Sequence, residues 1–369
     1  MTMLKNTWYA AAWADEVVHG KLLGRMFLSE PVVLFRKTDG TPVALSDRCP
    51  HRFAPLHMGK QIGDVVQCGY HGLEFGADGR CVRNPHGKAA PPGAKARPFP
   101  LVERYDLLWI WLGQGQAEES LIPDDFAFIS DRGLAHNRMY FHARANYLLL
   151  VDNLMDVSHA LYLHAGSLTT EDMRQDYQPD VDIAKGVTRL VIHQKGLLPP
   201  PFWAAALPPG TKQVDVRETS RGHIPSMVMH EMVYTQPGDP PYSERGVSSR
   251  SAHLYTPETN STTHYFYSLS RDFHRDSVEV QQRIDAEIRR IFTNEDIPMI
   301  EAQQRLIGDQ DLMALKPALL ATDKASVLMR RHLATLIAKE ISALGFSSRP
   351  ANLPGAVTTD KRPDLPVSP

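Results

Sequence analysis

The stretch "CPHRFAPLHMGKQIGDVVQCGYH", residues 49–71, constrains this chain more than any other. It sets Cys49 and His51 in a C-x-H pair and, after a gap of 16 residues, Cys68 and His71 in a C-x2-H pair. Two short ligand pairs on separate loops can grip one inorganic centre from both sides. Structural zinc accepts two thiolates and two imidazoles. Zinc ribbons and fingers, however, pair Cys with Cys and His with His, whereas each grip here mixes the two. Mixed grips suit a two-iron cluster with the cysteines on one iron and the histidines on the other. Pro50, Gly69 and Gly72 fit tight loops with close backbone approach to the centre.

The chain holds only three cysteines. A disulfide framework is therefore excluded, and a reducing, intracellular compartment is expected. Cys81 is left over and reads as a buried, inert thiol. A length of 369 residues suits two domains, and 43 % hydrophobic residues supply a sizeable core. The net charge of −2 argues against a nucleic-acid or membrane-surface partner. "MTMLKNTWYAAAWADEVV" shows no signal-peptide pattern, and no apolar run reaches the length of a membrane span. A soluble, cytoplasmic protein is expected.

Up to about residue 115 the chain reads as short strands with turns at Asp39-Gly40 and Asp78-Gly79. "LLWIWLG" alternates at strand period, with Trp109 and Trp111 on one face. Residues 116–135 read as a loop-like junction. "ANYLLLVDNLMDVSHALYLHAGS" has helical spacing, and "VTRLVIHQK", "SMVMHEMVY", "SRSAHLYTP" and "STTHYFYSLS" read as strands. The longest helical signal carries Ile284, Ile288, Ile291 and Phe292 on one stripe, and Pro298 should kink or break it just after Asp296. A shorter helix, "SVLMRRHLATLIAKEI", follows. The Pro- and Ser-containing tail is expected to be mobile. "LGQGQ" lacks the third glycine and the βαβ context of a dinucleotide loop, so electrons must come from another protein.

"CPHRFAPL" and "CGYHGLEF" resemble the two cluster loops of Rieske non-haem iron oxygenases. "NTWYAAAW", "NYLLLVDNLMDVSHALYLH" and "TPET" follow in family order. The resemblance is nearest to the vanillate O-demethylase oxygenase group, with dicamba O-demethylase and toluenesulfonate methyl-monooxygenase as relatives. It implies an α+β fold: a β-rich [2Fe-2S] domain over 1–115 and a helix-grip catalytic domain over 116–345, whose curved antiparallel sheet wraps a long helix. Residues 346–369 form the tail. It also implies a homotrimer fed by a flavin- or ferredoxin-type reductase, using dioxygen on a small aromatic substrate.

By the same resemblance, "DNLMDVSHALYLH" contains the D-x2-H-x4-H iron motif. His159 and His164 would hold a mononuclear Fe(II), with Asp296 of "NEDIPMIEAQ" as carboxylate and Glu295 ranked second. Two histidines and a carboxylate leave positions open for dioxygen. Asp156 would bridge His159 to His71 of a neighbouring subunit, and Asn153 would be a weak ligand or an outer group. His253 matches a histidine that contacts substrate carboxylate in dicamba-type relatives. Met229, His230 and Met232 stand where those relatives differ, which puts dicamba itself in doubt. Residues 196–210 read as an apolar lid or a plain surface loop. The implied reaction is O-demethylation of a methoxylated aromatic acid such as vanillate. Methyl or ring hydroxylation, or electron carriage without catalysis, are the alternatives.

Helix geometry makes a separate demand. At about 100° per residue, His159 and His164 differ by about 140° on a regular helix and cannot both face one ion. A bulge, break or tightened turn between 159 and 164 is therefore expected.

Overall fold

The structure is a computed structural model, and it describes residues 3–175, 177–243 and 245–343. The expected tail, 346–369, lies outside the described residues.

The N-terminal part is built from short antiparallel strands. Glu30–Arg36 and Pro42–Ser46 form the hairpin signalled by Asp39-Gly40, with Gly40 at φ 86°, a conformation open to glycine. Four strands, Lys60–Ile62, Val65–Gln67, Glu74–Phe75 and Cys81–Arg83, make the small sheet beside the cysteine loops. Leu107–Trp111 lies between Trp8–Trp13 and Leu101–Arg104 in a third sheet. Trp8, Trp13, Trp109 and Trp111 then pack in one cluster with Met227, Leu254 and Phe266. Those last three residues belong to the main sheet of the C-terminal part, so the two parts share a core. Backbone bonds from Leu28 and Ser29 to the carbonyls of Pro257 and Glu258, both 2.8 Å, reinforce the junction.

The main sheet has seven antiparallel strands. In spatial order they are Ala135–Ala143, Thr263–Arg271, Val247–Pro257, Met227–Thr235, Val214–His223, Val187–Leu197 and Asp180–Ala184. It curves around the helices. Helix α1, Tyr147–Met155, is buried along most of its length and capped by Asn146, whose side chain accepts from the Leu148 N–H at 2.9 Å. It breaks at Asp156 (φ −137°), tightens into a 3-10 turn over Val157–His159, and resumes as the single turn α2, Ala160–Leu163. The interruption thus lies just ahead of His159 rather than between 159 and 164. It has the same effect of re-aiming the first imidazole.

Helix α3, Pro201–Ala204, is one turn long. Helix α4, Val278–Ile291, is followed by a π-turn over Phe292–Asp296 and by α5, Ile297–Ile307. Pro298 accounts for this. It has no N–H for the Asn294 carbonyl and its ring crowds that group. The chain continues by widening the turn rather than by breaking, with the Ile297 N–H reaching the Phe292 carbonyl. Helix α6, Lys324–Ala343, is shorter than the continuous helical run from Val278 to Ile307, as expected. It is tied to α1 by Arg330, whose guanidinium donates to Asp152 at 2.6 and 2.9 Å.

Arg330 is 9 % and Asp152 22 % exposed in their side chains, so this pair is largely withdrawn from water. Replacing Arg330 by Met should cost about 3 kcal/mol, the lower end for breaking a buried pair. Urea denaturation followed by circular dichroism measures this. A loss under about 0.5 kcal/mol, as for surface pairs, would show that the contact does not anchor α6.

Candidate active site

The two cysteine loops meet as the spacing demands. Cys49 and Cys68 are buried, while the His51 and His71 rings lie outside them with centroids 4.6 Å apart. The loops are closed by backbone bonds from Cys49 N–H to Ala54 and from Cys68 N–H to Leu73, both 2.8 Å. Buried Asp47 accepts the His57 N–H at 2.7 Å and braces the first loop. Gly59 is required where the loops touch, since a Cβ there would stand 2.0 Å from the Gln67 carbonyl oxygen. Two inner thiols and two outer imidazoles fit a two-iron cluster, with one iron on each side. Cys81 departs from expectation: it is partly exposed, its thiol 3.3 Å from the Arg83 carbonyl.

The second centre forms where the broken α1–α2 segment meets the π-turn. Among the described residues, His159, His164 and Asp296 are the group able to close on one metal ion, their ligand atoms within 4.8 Å of one another. Asp296 Oδ1 lies 3.5 Å from His159 Nε2 and 3.2 Å from His164 Nε2. The Asn153 amide nitrogen is 3.1 Å from His159 Nε2 and 3.2 Å from Asp296 Oδ1, within reach of the same ion. Both Nδ1 atoms are engaged elsewhere, with the Asp156 backbone carbonyl at 2.9 Å and with Glu295 Oε2 at 2.6 Å. Each ring is thereby turned to present Nε2 to the centre. Burial opposes ionisation of Asp296, but hydrogen bonds from His159 and His164 hold its carboxyl well below the usual range. Two neutral nitrogen donors and one carboxylate suit Fe(II).

Two carboxylates sit differently from the family expectation. Glu295 holds the outer nitrogen of His164 and is itself held by Arg290 at 2.5 Å, so it stands behind the ligand. Asp156 meets His159 through its backbone carbonyl. Its side chain accepts from the Ser158 N–H at 3.0 Å and from the Thr322 hydroxyl at 2.9 Å.

A cavity of about 140 Å³ opens beside the centre, lined by Asn153, His159, His164 and Asp296 at one side. An engineered apolar cavity of about 150 Å³ admits benzene, so the space is on the scale of one aromatic ring. Phe292, Tyr267 and Trp203 supply apolar wall, and α3 roofs it with Phe202 and Trp203. Within residues 196–210, Phe202 and Trp203 are the residues that reach the cavity. His230 and Met232 face it from alternate positions of one strand, while Met229 points into the tryptophan core. His253 faces it too, with Nδ1 2.7 Å from the Tyr265 hydroxyl and Nε2 2.8 Å from Ser251 Oγ. Burial pushes the His230 imidazole down to about 4, and burial with the neighbouring His230 keeps His253 neutral as well.

The sequence reading missed Glu218. It lines the cavity with Oε1 3.5 Å from His230 Nε2, and burial raises its carboxyl to about 7. The available signal was a glutamate in phase with Val214 and Val216 on one strand.

Replacing Glu295 by Gln should weaken iron retention about 10- to 100-fold, as loss of an outer-shell partner does. Chelator competition followed by metal analysis reads this, and the visible spectrum of the cluster should not change. Unaltered iron affinity would remove Glu295 from the site.

Comparison with known proteins agrees with both centres. Residues 7–102 match the Rieske [2Fe-2S] domain, and residues 143–339 match the vanillate O-demethylase oxygenase C-terminal domain. The oxygenase component of chloroacetanilide N-alkylformylase from Rhizorhabdus wittichii is 38 % identical, covering 91 % of this chain and 96 % of that one. The oxygenase component of dicamba O-demethylase from Stenotrophomonas maltophilia is 36 % identical, covering 91 % and 98 %. A crystal structure of dicamba monooxygenase with non-heme iron and dicamba superposes with a TM-score of 0.79 at 34 % identity, covering 93 % of this chain and 100 % of that one. The Rieske match excludes the zinc reading of Cys49, His51, Cys68 and His71. With a two-iron site at one end and a two-histidine, one-carboxylate site at the other, the chain belongs to the Rieske non-haem iron oxygenases, in the vanillate O-demethylase oxygenase family.

Proposed function

We propose that this chain is the terminal oxygenase of a multicomponent monooxygenase that demethylates a methoxylated aromatic acid such as vanillate. Residues 1–115 would receive electrons from a flavin- or ferredoxin-type reductase, and residues 116–345 would carry out the oxidation. The observation that carries this reading is a ring-sized, aromatic-walled cavity opening onto the His159, His164 and Asp296 donors. The dicamba and vanillate relatives are named O-demethylases.

Iron bound by His159, His164 and Asp296, with Asn153 at its edge, would supply activation of dioxygen. Everything else falls to the chain. The Asp156 carbonyl and Glu295 keep both imidazoles aimed inward. The roof of Phe202 and Trp203 excludes water, and the aromatic wall holds the ring so that its methoxy carbon faces the centre. The balance is ArOCH3 + O2 + 2e⁻ + 2H⁺ → ArOCH2OH + H2O. The hemiacetal then releases formaldehyde and leaves a phenol. N-dealkylation is the second reading, favoured by the 38 % identical N-alkylformylase relative.

We further propose a homotrimer in which the Asp156 carboxylate reaches the partner subunit's His71. Asp156 lines a surface cleft with His159, Met299 and Leu306, and Leu306 is 90 % exposed. The cluster loops present Phe53 and Tyr70, 72 % and 62 % exposed. Two apolar rims of this kind suit mutual burial. No helix among the described residues is long and apolar enough to cross a membrane.

The test is formaldehyde release by iron-loaded protein given NADH, a compatible reductase and a panel of methoxybenzoates. Oxygen-dependent formaldehyde is expected from at least one. His159→Ala should abolish it while leaving the cluster reducible. A cluster that reduces and reoxidises normally without formaldehyde would overturn demethylation in favour of methyl or ring hydroxylation. Turnover that survives His159→Ala would leave only electron carriage.

A further inference from the structure

The cavity has a polar end that the iron chemistry does not use. Glu218 lines it with 14 % of its side chain exposed, and its Oε1 lies 3.5 Å from His230 Nε2. No lysine or arginine stands among the described lining residues. The groups facing Glu218 are His230 and Tyr234 from the neighbouring strand, Tyr177 from the segment before Asp180–Ala184, and His253 one strand further on. Both histidines are held neutral by burial, and the Tyr177 and Tyr234 hydroxyls have no hydrogen-bond partner among the described residues.

Iron(II) with the Asp296 carboxylate would carry one net positive charge, and an electrostatic account must include it. Glu218 lines the same cavity but stands outside the group of His159, His164 and Asp296 whose ligand atoms close on one ion. An aromatic carboxylate seated there with ionised Glu218 would bring two like charges together in a dry pocket with no cation between them.

We propose that Glu218 is the specificity-determining group of this cavity: it binds the oxygen-bearing end of the substrate as a neutral, hydrogen-donating carboxyl. An aromatic carboxylate consequently enters together with a proton, and an uncharged aromatic ether or amide enters without one. The balance is Glu218–CO2⁻ + ArCO2⁻ + H⁺ → Glu218–CO2H···⁻O2CAr, with the proton drawn from solvent. The unpaired Tyr177 hydroxyl offers a second donor to the same anion. Burial raises the Glu218 carboxyl to about 7, which places this exchange near neutral pH. The choice of ligands below rests on the demethylation reading.

The experiment uses iron-loaded holoenzyme, anaerobic and without reductase, so that nothing turns over. Calorimetric titrations with 3-methoxybenzoate and 3-methoxybenzamide run from about pH 6 to about pH 8.5, in two buffers of different ionisation heat. Above about pH 7 the benzoate should lose about tenfold in affinity per pH unit and take up about one proton per molecule bound. The amide should show neither effect. Glu218→Gln keeps the donor but cannot ionise, so it should remove both the slope and the proton uptake. Benzoate binding without proton uptake at about pH 8, or an unchanged slope in Glu218→Gln, overturns the proposal. If that variant fails to fold, the wild-type contrast decides alone, because matching profiles for acid and amide overturn it equally. Proton uptake here, with no formaldehyde from any methoxylated compound in the separate turnover assay, would sink the demethylation reading and leave Glu218 standing; formaldehyde there without proton uptake here would do the reverse.

Discussion

The buried carboxylate of Asp296 draws together two segments 143 residues apart, meeting the Asn153 amide, His159 and His164 within 3.2 to 3.5 Å. In a protein interior an isolated carboxylate would shed its charge rather than persist. Here hydrogen bonds from the two imidazoles keep it ionised, and a bound metal would take over that role. The arrangement works only because α1 breaks at Asp156 and because Pro298 forces the turn around Asp296 to widen. Each segment departs from the regular helix where it supplies ligands. Such departures are common at functional sites because they aim side chains that helical periodicity would scatter.

The support behind the ligands comes from neighbours in sequence. Asp156 contributes a carbonyl three residues before His159, and Glu295 contributes a carboxylate one residue before Asp296. Arg290, one turn earlier on α4, fixes Glu295 and also pairs with Glu287. The result is a continuous polar chain from the helix surface to the metal position. The cavity beyond it is walled by sheet residues such as His230, His253 and Tyr267 together with Phe292, so the π-turn that supplies Asp296 also supplies part of the substrate-facing wall.

Much of this was legible in the sequence. The mixed Cys/His grips gave the cluster, and the D-x2-H-x4-H stretch with Asp296 gave the donors that the structure brings together. Other features were not legible. Strands Ala135–Ala143 and Val214–His223 escaped notice because Asn137, Glu218 and Ser220 place polar groups in the inward phase of their alternation. Glu218 lies on one of those strands, so missing the strand meant missing the residue. Glu295 was ranked as a possible ligand because adjacent acids cannot be told apart by spacing. Only the π-turn decides that one faces the metal and the other the outer side of His164. The break near His159 was anticipated but placed late, since local sequence says that a helix must be interrupted and not at which peptide.

The π-turn carries a further consequence for how this site tolerates change. A five-residue turn inserts one residue into the helical register, so α5 is rotated by about 100° relative to a straight continuation of α4. The apolar stripe of α4 and the buried positions of α5, Ile300 among them, are therefore out of phase as read along the chain. The site behaves as a dislocation in a helix. Point substitutions other than at Pro298 leave the phase alone, whereas gaining or losing a single residue there would turn the whole face of α5 away from α1 and carry Glu295 off His164.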